Sequence, residues 1–346
     1  MPLTKINLKL LEQKLSSLGD TPYFSSELKL YTKQLSNVAR KADAITDPQV
    51  RNRMVLQLWS AIKYLDGSTT RLLPYEVVFC LDAALKDWTT DNYLITTAIL
   101  HEMNFYFQGI SPSFYTEAEG FCGETFEYKL IQVALPDLYR HRPLYNVALY
   151  HELGHFIDTH KAISDYLLLL SPNVQLPRLS AGVDEKIRRN HVMEYWADIF
   201  AASYLGYGIH KFLDRFAHNV PVSATHPATS DRLELIEAFL DGKSMPILDG
   251  FQAVLSQRNL GKLEIRFDSL DVKEYFDNVM PCPISNIGQL HALFDSSWDY
   301  LETAQQRLAE PWSLIREDQI EKMINDLSEK SIRNFMISQR WGNGTP

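Results

Sequence analysis

Cysteine is scarce in this chain. Cys80, Cys122 and Cys282 are three among 346 residues, widely spaced and outside any metal-binding pattern. Their spacing excludes a disulfide-framed module and leaves buried, reduced thiols as the expectation, as in a cytoplasmic protein. Long apolar runs are missing as well. The longest, Tyr166-Leu-Leu-Leu-Leu170, is cut by Ser171-Pro172, far short of the ~18 residues that cross a bilayer, so no transmembrane anchor is expected. The first ten residues alternate polar and apolar side chains and do not read as a secretory signal. Positive charge is in deficit: the net formal charge is -9, with no lysine-arginine stripe, which argues against nucleic acid as a partner. Tyr139-Arg140-His141-Arg142 is the one basic cluster, and it reads as a solvated loop. No internal repeat or low-complexity tract is present.

What is present describes an ordinary folded protein, 45% hydrophobic and 22% charged. The length predicts two or three units, set here as an N-terminal helical region 1–70, a central domain 71–245 and a mostly helical region 246–346. The fold class expected is α+β, mainly helical. Leu8, Leu11, Leu15 and Leu18 recur at helical spacing, as do Leu28, Tyr31, Leu35 and Val38, and then Val50, Met54, Leu56, Trp59 and Ile62. Asp66-Gly67-Ser68-Thr69-Thr70 breaks that pattern. Glu76–Leu81 is apolar and β-branched enough for a buried strand, with a helix running to Leu85 as the alternative. Residues 94–107 look helical, and 125–135 reads as a strand. Pro143 can open the next helix. Further helices are expected over 184–206, 227–240, 271–279, 288–308 and 316–338, with a strand-like alternation at 263–267.

The most informative residues lie in that central region. His151-Glu152-Leu153-Gly154-His155 places two imidazoles one helical turn apart, so both project from one face and can share a metal. Glu152 sits beside them, where it can take a proton from a water on that metal. A four-coordinate catalytic zinc needs a third protein ligand. His160 is near, but an HExxHxxGxxH arrangement would need glycine where Asp158 stands and histidine at Lys161. Glu194 is the better candidate. It lies with Asp198, four residues on, in the apolar run Val192–Gly206. Carboxylates buried there are costly unless a cation or hydrogen-bond donors meet them. Glu194 would bind the metal, and Asp198 would accept the other ring proton of His151 or His155. The plainer alternative has both acids facing solvent on an amphipathic helix. Tyr150, Tyr195 and Trp196 read as packing residues.

HELGH at 151–155 with Glu194-Tyr-Trp-Ala-Asp198 resembles the gluzincin zinc peptidases. The ExxAD form, followed by Thr225-His-Pro-Ala-Thr-Ser-Asp-Arg232, is similar to the CAAX prenyl-protease family and its soluble relatives. The resemblance covers residues 125–240. It implies a zincin-like core with the active-site helix beside a small sheet, flanked by helical regions. It implies a Zn2+ cofactor held by His151, His155 and Glu194, Glu152 as general base and Asp198 as the acid behind a ligand. His226 would donate to the transition state, and Arg232 would hold the site together by pairing with an acid. The strand at 125–135 would offer an edge to an extended peptide. Read from its own residues alone, His226 can equally belong to a helix cap made by Thr225 with Pro227 in the first turn. Membrane members of the family have spanning helices that this sequence lacks, so the expected substrate is a soluble protein or peptide.

The expected activity is peptide hydrolysis. Two alternatives stand beside it: a processing peptidase with one target, controlled by a regulatory protein partner, and a non-enzymatic interaction protein with a structural zinc. An intact Glu152 argues against the last, since a structural site needs no base.

Overall fold

The computed structural model of the chain describes residues 3–22, 24–67, 75–179 and 182–342. The described helices, in chain order, are α1 (Leu3–Gly19), α2 (Ser26–Lys41), α3 (Pro48–Gly67), α4 (Tyr75–Lys86), α5 (Pro112–Cys122), α6 (Ala148–Lys161), α7 (Ile163–Leu170), α8 (Glu185–Leu205), α9 (Tyr207–Phe216), α10 (Thr229–Leu240), α11 (Pro246–Gln257), α12 (Lys273–Asp277), α13 (Ile287–Gln305) and α14 (Glu317–Gly342). The strands are β1 (Tyr93–Leu100), β2 (Tyr106–Gly109) and β3 (Lys129–Pro136). The fold is α+β and mostly helical, with one small mixed sheet. No described helix is long and apolar enough to cross a membrane.

The chain divides into two compact units, and the division is not sequential. One comprises Met1–Pro74 and Thr89–Arg140, the other Tyr75–Trp88 and His141–Pro346. Of the sequence break expected at 66–70, Asp66 and Gly67 instead continue helix α3, while residues 68–70 and the boundary at 70/71 lie outside those described.

In the first unit, α1, α2, α3 and α5 enclose one core. Leu8, Leu11, Leu15, Leu18, Tyr31, Leu35 and Val38 are all buried in it, as their spacing predicts. On α3 the buried face is Val50, Met54, Leu58, Ala61, Ile62 and Leu65, while Leu56 and Trp59 face outward, contrary to the sequence reading. The helix expected over 94–107 is instead β1, a five-residue connection and β2. Ile95, Thr96, Thr97 and Ile99 are β-branched, which stiffens χ1 and favours a pleated surface over a helix. Thr96 also donates its hydroxyl to the Ile131 carbonyl (2.8 Å).

The sheet order is β1-β3-β2, with β1 parallel and β2 antiparallel to β3. The strand expected at 125–135 is therefore present as β3 but occupies the centre, buried from Leu130 to Pro136. Both its edges are paired, so it has no free edge to offer a peptide. That expectation is corrected.

In the second unit, Glu76–Leu81 belongs to helix α4. Val77, Cys80, Leu81, Ala84 and Leu85 are buried at helical spacing, and the run is too long for an isolated strand. At Pro143 the chain makes turns with i→i+3 bonds, such as Asn146 N–H to Pro143 O (3.1 Å), and the α-helix starts only at Ala148. The alternation at 263–267 finds no partner strand among the described residues; the segment is irregular and tied by Arg266 N–H to the Ser203 carbonyl (2.7 Å). The basic loop is paired rather than merely solvated. Arg142 bonds Glu321, and His141 approaches Glu329.

Helix α8 is the axis of this unit. From His191 to Leu205 nearly every residue is buried, as expected of a helix apolar all round, and α6, α7, α9, α10 and α13 pack on it. Its start is set by Asp184, whose side chain accepts from Lys186 N–H (2.7 Å). Helix α6 lies unusually close to it. A Cβ on Gly154 would stand 2.8 Å from Ala197 Cα and 3.1 Å from Phe200 Cβ, so only glycine permits this approach. Trp196, fully buried, donates its indole N–H to the Gly154 carbonyl (3.1 Å) and pins the register of the two helices.

Candidate metal centre

The close approach of α6 and α8 sets His151 and His155 against Glu194. His151 Nε2 stands 3.0 Å from His155 Nε2. Glu194 Oε2 is 3.4 Å from the first of these nitrogens and its Oε1 3.3 Å from the second. Donors about 2.0–2.1 Å from one tetrahedral ion stand about 3.3 Å from each other, and here each imidazole nitrogen has the other nitrogen and one Glu194 oxygen close to that separation. Two further observations support that fit. Facing imidazole nitrogens at 3.0 Å repel unless a proton or a cation lies between them. Glu194 is buried, and its Oε2 has no hydrogen-bond partner among the described residues. The cluster can hold a metal ion.

Behind it, the supporting groups are fixed. His151 Nδ1–H donates to Asp198 Oδ1 (2.9 Å), which leaves Nε2 with the lone pair that a metal needs. Asp198, 1% exposed, takes a two-pronged bond from Arg232, Nε to Oδ2 and Nη2 to Oδ1, each 2.7 Å. The second guanidinium nitrogen also lies 3.6 Å from Glu194 Oε2.

These contacts set the protonation of the site. Burial would raise Asp198, but the charge and hydrogen bonds of Arg232 outweigh it and hold its carboxyl below the usual range. Burial likewise would raise Glu194, and the adjacent imidazoles of His151 and His155 reverse this. For His151, burial depresses the imidazole, yet Asp198 and Glu194 together push it up to about 10. A metal must displace that proton on binding. Glu152, half-buried, goes the other way. Burial raises its carboxyl, only partly offset by the charges of His151 and His155.

The remaining expected residues are near. His226 Nε2 lies 3.6 Å from Glu194 Oε1, with its ring half-exposed. Thr225 does not cap the following helix, which has Ala228 at its N-cap position and starts at Thr229; the hydroxyl of Thr225 lies 2.8 Å from His226 Nδ1 instead. His160 stands outside the cluster. It is exposed, donates Nδ1–H to the Phe156 carbonyl (2.9 Å), and lies tilted against the Phe156 ring. Asp158, in the place where the other arrangement needs glycine, accepts from Ser164 N–H (2.7 Å) and Oγ–H (2.6 Å), turning the chain into α7.

Two features were not read from the sequence. One is Gly154, whose signal was available: a glycine inside a helix, costly in itself, marks a close approach. The other is the pair Asn190 and His191, one turn before Glu194. Asn190 donates to the Ala224 carbonyl (3.1 Å) and His191 to the Ser223 carbonyl (2.8 Å). Nothing in composition or spacing announces a side chain that reaches 32 residues along the chain.

Comparison of the chain with protein-family models, with curated proteins and with solved structures gives no match in any of the three.

Proposed function

We propose that this chain is a zinc-dependent peptidase of the gluzincin type, similar to the soluble relatives of the CAAX prenyl proteases. One observation carries the reading: His151, His155 and Glu194 converge at 3.0–3.4 Å beside a carboxylate, Glu152, that burial has made more basic. Two histidines and a carboxylate form a donor set suited to zinc with one position left for water.

A zinc ion bound there supplies Lewis acidity, polarising the scissile carbonyl and acidifying water. Glu152 takes the proton of the attacking water and returns it to the departing amine. His226 donates a hydrogen bond to the oxygen that becomes negative. Asp198 holds the His151 ring in its ligating tautomer, and Arg232 keeps Asp198 ionised. Glu152 argues against a purely structural metal. Burial and the charges of its neighbours set the basicity of its carboxyl, and a carboxylate so placed is available for proton transfer.

The substrate proposed is a soluble protein or peptide, cleaved in the cytoplasm. The scattered, buried thiols support that compartment. Glu152→Gln should retain one zinc per chain while cleavage of a denatured-protein substrate disappears. Cleavage at the parent rate would refute the assignment. Glu194→Ala should lose the metal, read by elemental analysis; full zinc occupancy would remove Glu194 from the ligand set.

A further inference from the structure

We infer that Asn190 and His191 are positioning residues that clamp the 223–226 turn to α8 and thereby aim His226 at the metal donors. This rests on the peptidase reading for its catalytic consequence, though the clamp itself is a matter of geometry. The turn is closed within itself. Ser223 N–H donates to the His226 carbonyl (2.9 Å), and Ser223 Oγ accepts from His226 N–H (2.9 Å). A closed turn is still free to swing as a body, and the His226 side chain is half-exposed. Two bonds from α8 remove that freedom. His191, fully buried, gives Nε2–H to the Ser223 carbonyl, and Asn190 reaches the next carbonyl, Ala224.

Both donors sit one turn before Glu194 on the same rigid helix. The distance from the donor set to His226 is thus measured along a single element. Thr225 completes the arrangement. Its hydroxyl, 2.8 Å from His226 Nδ1, can donate to that nitrogen, leaving Nε2–H directed toward Glu194 Oε1 and the reacting oxygen. The far side of the loop is fixed separately by Thr229, whose N–H and hydroxyl bond the Val220 and Ala217 carbonyls. Loss of the α8 bonds therefore releases the turn without unravelling the loop.

The test uses the full chain with histidines labelled in the ring nitrogens, both metal-free and zinc-loaded, in four variants: Asn190→Ala, His191→Leu, His191→Gln and His226→Ala. The last assigns the His226 signals. Nuclear magnetic resonance should show the His226 ring nitrogens of a fixed tautomer in the parent. In Asn190→Ala and His191→Leu they should move toward values of a freely rotating surface imidazole, with His151 and His155 unmoved. His191→Gln, which keeps a donor, should restore them. In turnover, Asn190→Ala should lower kcat roughly tenfold with KM nearly unchanged. Combined with His226→Ala it should cause no further loss, since both act through one group.

His226 signals unchanged in both Asn190→Ala and His191→Leu would overturn the inference. Additive losses in the double variant would do the same. If His191→Leu fails to fold, Asn190→Ala carries the test alone, because Asn190 is partly exposed. If the parent cleaves nothing while His226 still responds to Asn190→Ala, the clamp stands and the peptidase reading falls.

Discussion

Gly154→Ala is the sharpest test of how the site is built. The added Cβ would fall 2.8 Å from Ala197 Cα and 3.2 Å from the Ala197 carbonyl oxygen. Carbon atoms in contact stand about 3.5–4.0 Å apart, so α6 and α8 must separate by about 0.7 Å or more. The blocking atoms are backbone, which cannot rotate away, and the Trp196 bond to the Gly154 carbonyl resists sliding. Overpacking of this kind costs about 1–3 kcal/mol. Alanine returns about 0.5–1 kcal/mol through its better helix propensity. The net expectation is a destabilisation of about 0–2.5 kcal/mol, read from urea unfolding of the metal-free protein. The larger consequence falls on the ligands, because His151 and His155 ride on one helix and Glu194 on the other. Metal-donor distances tolerate only about 0.2 Å, so zinc affinity in a competitive titration should fall on the order of tenfold or more, equivalent to ~1.4 kcal/mol. Gly120→Ala is the control: a Cβ there meets nothing within 4 Å, and it should stabilise by about 0.4–1 kcal/mol. A Gly154→Ala variant that gains stability like the control and binds zinc as the parent does would show that the close approach is not a constraint.

Arg232→Met strips Asp198, a fully buried carboxylate, of two charged hydrogen bonds, and should cost about 3–5 kcal/mol in urea unfolding. Arg232→Lys keeps the charge but not the fork, and should fall between that variant and the parent; equality with the parent would refute the bidentate role. His291 gives a pH prediction. It is buried against Tyr150, whose hydroxyl lies 3.0 Å from its Nδ1, and burial pushes its imidazole down to about 3. The folded value lies below the unfolded one of about 6.5, so as pH falls the unfolded chain binds the proton first and stability drains away between about 6.5 and 3. His291→Leu lacks that proton-linked loss. Measured by urea unfolding in chelator, the stability gap between the parent and this variant should narrow by about 2 kcal/mol from pH 7 to pH 5; a constant gap would contradict a neutral buried His291.

The legible parts of this fold are those in which one residue's neighbours in sequence are also its neighbours in space. The leucines of α1 follow from a 3.6-residue period, the extent of α8 from one long apolar run, and His151 and His155 meet because they sit one turn apart on one helix. Glu194 was legible for a different reason: a carboxylate in an apolar run signals an unmet charge, and the histidine pair upstream was there to meet it. What failed was what depends on partners. Ile95-Thr-Thr-Ala-Ile99 becomes a strand because β3 lies beside it, and β3 becomes central because β2, only four residues long, returns to its other side. Leu263–Phe267 alternates like a strand and finds no strand to pair with among the described residues. Leu56 and Trp59 carry the right chemistry for a core but occupy the wrong side of α3, where period alone cannot choose between two apolar stripes. The site shows the same division. Its candidate ligands could be found from local sequence, the histidines by spacing and Glu194 by its apolar surroundings, whereas the bonds that aim His226, Asn190 to Ala224 and His191 to Ser223, end on backbone carbonyls. A carbonyl is present at every position, so no residue type marks the one that is used. Such contacts are invisible in a sequence for a physical reason, and substitutions at Asn190 and His191 should therefore reveal functional dependence that motif reading assigns wholly to His226.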